Sequence, residues 1–212
     1  MTITQRKLAL IAGCSYVVIF FAAIFANFFV LELLLQKPLE AVSTQALLVR
    51  IGILAFLVAA IFDVFVAWAL FGLYNSHPLS LPSTYFRLAH AIIMGIAIYA
   101  LLNVFAVSGE EAILAQVMIF NNIWLIGLFF FGVHLLLLSR IVKHINFIPY
   151  LIFAAGVMYI VDTSAHFLLE NYEAYADLFL MMVAVPSIFG EMAFAIWLLV
   201  KGGKSGEVVN LS

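Results

Sequence analysis

Charge is the scarce ingredient of this chain. Asp, Glu, Lys and Arg make up 9% of its 212 residues and hydrophobic residues 67%, where soluble domains average about 25% and about 45–50%. No water-soluble fold hides that much apolar surface, so the solvent for most of the chain is a bilayer. The other scarcities remove further classes. A single cysteine, Cys14, cannot build a disulfide scaffold, and a net charge of -2 offers no basic excess for nucleic acid. Intrinsic disorder needs low hydrophobicity, which is the opposite of what is found. No Gly-Ser linker, charge block or short-period repeat divides the chain, so one domain over 1–212 is expected. Glycine-rich phosphate loops and nucleophile elbows are absent as well.

What is present is a series of runs without Asp, Glu, Lys or Arg, at residues 8–31, 51–62, 64–86, 88–109, 112–139, 144–161 and 178–190. At about 20 apolar residues per span, they fit six helices, expected at 8–35, 47–74, 84–107, 110–139, 147–169 and 178–200. The fold class is therefore all-α: a polytopic, multi-pass bundle of six transmembrane helices. Asn75-Ser76-His77-Pro78 through Leu81-Pro82-Ser83 breaks helices two and three, because two prolines interrupt the hydrogen-bond ladder. Ser108 with Glu111 reads as a capping box opening helix four. Asn146 ahead of Phe147-Ile148-Pro149 opens helix five, and Gly202-Gly203 stops helix six. Pro186 inside helix six frees the carbonyl of Met182 and predicts a kink one turn before Glu191.

Orientation follows from the positive charges. With the N-terminus inside, Arg6, Lys7, Arg87, Arg140, Lys143, Lys201 and Lys204 are cytoplasmic, and only Lys37 and Arg50 are external, so both termini are expected in the cytoplasm. The uncharged stretch of helix one is too long for a secretory signal core. A three-plus-three division allows an inverted repeat, but no matching residues support one.

In hydrocarbon the ionisable residues are the informative ones, since each costs at least ~2.5–3.5 kcal/mol near the centre of a lone helix. Counting ~1.5 Å per residue from the cytoplasmic helix ends, Arg87 sits at the inner rim, His90 and His134 about a third of the way in, and Asp63 and Glu191 near the middle. Arg87 and His90 are three apart and share a helix face. A second group lies further out: Asp162 and His166, four apart on helix five, with Asn103, Asn121 and Asn122 at similar depth. The two layers trace a polar column, as a proton or solute path requires and as a buried hydrogen-bond network also requires. Plain structural roles compete at each position. A His–carboxylate pair can simply join helices, and an Arg at a helix end normally snorkels to headgroups. Phe28-Phe29 and Phe129-Phe130-Phe131 read as packing bulk, and Trp68, Trp124 and Trp197 as an interfacial belt.

The C-terminal half carries a resemblance. Gly132-Val133-His134-Leu135-Leu136-Leu137-Leu138, then Phe147-Ile148-Pro149, Tyr159-Ile160-Val161-Asp162-Thr163-Ser164, Gly190-Glu191-Met192-Ala193 and Trp197-Leu198-Leu199-Val200-Lys201-Gly202 are similar to a family of bacterial membrane proteins, domain of unknown function 4386. Tyr85-Phe86-Arg87 at the start of helix three fits it too, while helices one and two match in length and hydrophobicity. The resemblance implies a six-helix protein of the bacterial inner membrane and brings no activity with it. It implies that Arg87, His134, Asp162 and Glu191 stand at motif positions, and that His90 and His166 lie outside the motif.

Three functions compete. The first is binding and translocation of a small solute or a proton, with Glu191 and Asp63 protonatable, His134 as relay and Arg87 as an anion or headgroup contact. The second is an intramembrane metal-dependent enzyme, in which His90, His134 and Glu191 or Asp63 hold zinc or iron, although no HExxH-type spacing occurs. The third is an accessory or haem-bearing subunit with His90 and His134 as axial ligands. Enzymatic activity is left undecided, and no cofactor or metal is assigned. The expected partners are the lipid bilayer and a small solute, lipid or proton; an oligomer is left open.

Overall fold

A computed structural model describes residues 2–204 and 208–210. It contains six helices long and apolar enough to cross a membrane: helix one (Gln5–Gln36), helix two (Ala46–Tyr74), helix three (Ser80–Asn103), helix four (Glu110–Ile141), helix five (Ile148–Leu168) and helix six (Ala176–Val200), the last entered through a 3-10 turn, Tyr172–Tyr175. A short helix, Pro38–Ser43, joins helices one and two. Two three-residue strands, Thr2–Thr4 and Val208–Asn210, pair antiparallel. They bring the two ends of the chain to one face, called here the near face, as an even number of spans requires.

The helices stand where the uncharged runs put them, and the differences lie at their ends. Helix three begins at Ser80, ahead of the expected 84, with Pro82 inside its first turn, where a missing N–H costs no ladder bond. Neither expected side-chain cap is made. Helix four is opened by Gly109, not Ser108, at φ 93, a left-handed conformation that glycine adopts without a Cβ clash. Helix five is capped by Phe147 rather than Asn146, with Pro149 in its first turn supplying the start. Helix one is continuous but passes through a π-helical turn, Ala26–Leu31, a local underwinding that shifts which residues face inward.

Each helix packs on its chain neighbours, and helix six returns to helix one, which closes a ring. Helices four and five approach so closely at Gly132 and Gly156 that a Cβ on either would stand 2.8 Å from the other's carbonyl oxygen. Two apolar cores fill the ring. The near core draws on helices one, two, four, five and six, for example Leu8, Leu70, Leu135, Ile152 and Phe194. The far core draws on helices one to four, for example Val30, Phe56, Met94 and Phe120. Helix one changes neighbours along its length. Near the termini Gly13 lies against Ala195 and Leu199 of helix six. At the far end Val30 packs over Gly52 of helix two, and Leu34 shares the far core with residues of helix four such as Val117. Helix one therefore leans away from helix six towards the far face. Of the expected belt, Trp124 instead packs in the far core, with ring centroids 5.0 Å from Phe56 and 5.2 Å from Phe120.

Candidate functional site

The centre of the site is Arg87, whose side chain is 0% exposed. Because helix three starts at Ser80, Arg87 is two turns inside the bundle, about 10 Å from the helix end, and it does not snorkel to the rim. Its guanidinium is shared among three helices. Nη2 donates to Asp63 Oδ1 of helix two in a close ion pair, and Nη1 donates to the Tyr16 hydroxyl of helix one at 2.9 Å and to His134 Nε2 of helix four at 3.2 Å. The rings of Tyr16 and Phe131 face the cation, 4.8 and 5.2 Å from Cζ, which offsets part of its desolvation. Arg87 Nε is the buried side-chain polar atom left without a partner among the described residues.

The surrounding histidines have fixed roles. An arginine cannot accept a hydrogen bond, so His134 Nε2 accepts and the ring proton sits on Nδ1, 2.9 Å from the Ser83 carbonyl. His134 is thus a neutral acceptor for Arg87, held by the first turn of helix three. His90 Nδ1 donates to the Gly127 carbonyl at 3.0 Å, while Nε2 faces Asp63 Oδ2 at 3.6 Å. A proton on Nε2 turns that contact into an ion pair; without it a lone pair faces a carboxylate. The Phe131 ring packs against both histidines. A cavity of about 10 Å³ beside His134, lined also by Tyr74, Ser80, Ser83 and Thr84, has room for one water on the near side.

Glu191 of helix six completes the cluster without joining a hydrogen bond. Its carboxyl lies within electrostatic reach of Arg87, Asp63, Tyr16 and Tyr159, and the residue as a whole is partly buried. Asp63, Arg87, His90, His134 and Glu191 are therefore brought together, and Asp162 and His166 are not. Asp162 is buried in the far half of helix five, where it accepts from the Tyr172 hydroxyl at 2.6 Å. His166 stacks edge-on to Tyr172 at 4.6 Å. Asn103, Asn121 and Asn122 make no hydrogen bond to Asp162; the turn leading into helix six supplies its partner instead.

Two participants escaped the sequence reading. Tyr16 lies 11 residues inside helix one, too deep for an interfacial tyrosine, and a buried hydroxyl needs a partner; that depth was the available signal. Tyr172 lies in a loop and gave none. The metal and haem readings lose their ligands in this geometry. Both nitrogens of His134 are engaged by Ser83 and Arg87, and a guanidinium occupies the point on which a cation's ligands would converge. Among the described residues no three His, Cys, Asp or Glu side chains are arranged to hold a metal.

Six membrane-length helices closed around a buried Arg–Asp–His cluster define a polytopic α-helical membrane protein. The chain belongs to the family known as domain of unknown function 4386, which matches residues 11–202. A relative from Archaeoglobus fulgidus, described as an uncharacterized protein, is 33% identical over 156 residues, covering 71% of this chain and 83% of its own length. No solved structure matches the chain.

Proposed function

We propose that the protein binds and translocates protons, alone or coupled to a small solute, through the cluster around Arg87. One observation carries this reading: two complementary groups within electrostatic reach of each other both lack a partner. Arg87 keeps an unused Nε donor in a wholly buried guanidinium, and Glu191, within its electrostatic reach, makes no hydrogen bond among the described residues. A cluster built only to join helices would satisfy both, since unpaired polar groups in hydrocarbon are costly. In the proposed cycle a deprotonated Glu191 competes with Asp63 for Arg87, and a protonated Glu191 leaves the guanidinium to Asp63. His90 Nε2 beside Asp63 is a second point at which one proton is gained or lost.

The test uses liposomes containing the reconstituted protein and the pH dye pyranine, with a potassium diffusion potential set by valinomycin. Wild-type protein is expected to acidify the lumen faster than protein-free liposomes, and Glu191→Gln to fall to the protein-free rate while its melting midpoint in detergent stays near wild type. Wild-type rates equal to protein-free liposomes overturn the proposal.

The same proposal puts the protein in the cytoplasmic membrane of a bacterium with both termini inside. Support comes from the charge bias, which persists after Arg87 is removed from the loop count: Arg6, Lys7, Arg140, Lys143, Lys201 and Lys204 on the near side against Lys37 and Arg50 on the far side. An impermeant thiol reagent should label cysteines at positions 110 and 173 in intact cells but not at 143 and 204; the reverse pattern inverts the orientation.

A further inference from the structure

We infer that the cavity beside His134 is a binding site for one water molecule, which extends the solvation of buried Arg87 to the near face through His134 and Ser83. The cavity lies in the seam where the near ends of helices two, three and four meet. Tyr74 and Ile141 are the last residues of helices two and four, Ser80 is the first of helix three, and all three line it. Ala67, Ser83 and His134 line it further in, within about 10 Å of those ends. The space therefore stands between the near ends of the helices and a direct partner of Arg87.

Hydrogen-bonding capacity goes unused around it. With the His134 ring proton on Nδ1, Ser83 Oγ accepts from that nitrogen at 2.9 Å, so the hydroxyl's own proton is left to donate. No acceptor for it occurs among the described residues. Ser80 is 3% exposed, and its hydroxyl makes no hydrogen bond among the described residues; nor does the hydroxyl of half-buried Tyr74. The Thr84 hydroxyl is already used, donating to the Ser80 carbonyl at 2.9 Å. Buried hydroxyls without partners are costly. A space of about 10 Å³ holds one water, which needs about two to four polar partners, and Ser83, Ser80 and Tyr74 supply them.

The occupant follows from size and charge. The space is too small for an amine or a phosphate. No Asp or Glu lines it, so a metal cation would find neither a counter-charge nor enough oxygen ligands. Water meets both needs of the lining, accepting from Ser83 and donating to Ser80 and Tyr74.

The order of donors gives this water a task. Arg87 Nη1 donates to His134 Nε2 at 3.2 Å, His134 Nδ1 donates to Ser83, Ser83 donates to the water, and the water donates towards the near ends of the helices. Each member accepts on the side of the guanidinium and donates on the side away from it. Every dipole thus turns its negative end to the cation and polarises the next. His134 is a positioning residue for Arg87, and the water is the outermost dipole of the chain. That role is independent of whether Glu191 titrates.

The experiment is proton–nitrogen NMR of the full-length chain, isotope-labelled at its histidine nitrogens, in a deuterated detergent, with the His134 signals assigned from the His134→Gln variant. In wild type His134 is expected to carry a proton on Nδ1 and none on Nε2, and that proton is expected to show a cross-peak to water. Ser80→Val and Ala67→Val fill the space from helices three and two and are expected to lose the cross-peak, their melting midpoints and gel-filtration profiles reporting whether each folds. A proton on Nε2, or no water cross-peak, in wild type overturns the inference without recourse to any variant. A cross-peak kept at wild-type intensity in either folded variant overturns it too. Failure of proton uptake with the cross-peak present removes the proton reading and leaves the water site standing; uptake that depends on Glu191 without the cross-peak does the opposite.

Discussion

At the end that bears the termini, five of the six helices share one core, Arg6 ties off the last turn of helix six, and the buried charges are bonded across three helices. At the far end the core belongs to helices one to four. Helices five and six are held there by single bonds, Thr163 to the Leu125 carbonyl and Tyr172 to Asp162, and most of helix six between Leu178 and Phe189 is exposed. The contrast teaches where movement is affordable. A buried guanidinium must be surrounded, or its desolvation is uncompensated. Helix six, which carries only the unpaired Glu191 into that centre, can loosen at its far end without exposing Arg87.

Asp63→Asn probes the near half most severely. It removes the carboxylate bonded directly to the buried Arg87 guanidinium and is expected to cost ~3–5 kcal/mol, while Tyr172→Phe, which removes one far-half hydrogen bond, is expected to cost ~0.5–1.5 kcal/mol. Denaturant or thermal unfolding in detergent measures both, and comparable losses would break the contrast. Arg6→Ala comes next. It strips charge-assisted bonds from carbonyls that the helix cannot satisfy itself, an effect of about 1.5–3 kcal/mol. Hydrogen exchange should rise around residues 198 to 202 and stay unchanged beyond Pro186; a rise spread over all of helix six would show the two halves to be one cooperative unit.

The smallest effect lies at the far surface. The Gln45 amide, donating at 3.1 Å, and the Lys37 ammonium at 3.4 Å hold the Glu40 carboxyl below the ordinary carboxylate range. A depressed folded value means that any stabilisation is present above the unfolded value and lost as pH falls through the folded one. An NMR titration should place Glu40 below a free glutamate and return it towards that value in Gln45→Ala, with no resolvable change in stability, because the pair is solvent-exposed.

Much of the fold was legible in the residues. Uncharged runs located six helices to within a few positions, because a span must cross a fixed hydrocarbon thickness whatever its neighbours are. Helix ends were less legible: Ser108 and Asn146 have the right chemistry for caps, but Gly109 and Pro149 set the backbone first. That Asp63, Arg87, His90, His134 and Glu191 gather was foreseen from depth, and the arrangement was not. Arg87 was placed at the rim because Pro82 was taken to delay helix three, and Asp162 was given asparagine partners on depth alone.

The sequence by itself determined how many times the chain crosses, roughly where, and that its few ionisable groups face inward, since hydrocarbon penalises each charge regardless of tertiary detail. Which groups touch was decided only by the tertiary structure. A helix can rotate and tilt at little cost in lipid, and packing against its neighbours sets both. That packing made Arg87 rather than a metal the centre of the cluster and chose Tyr172 rather than an asparagine for Asp162.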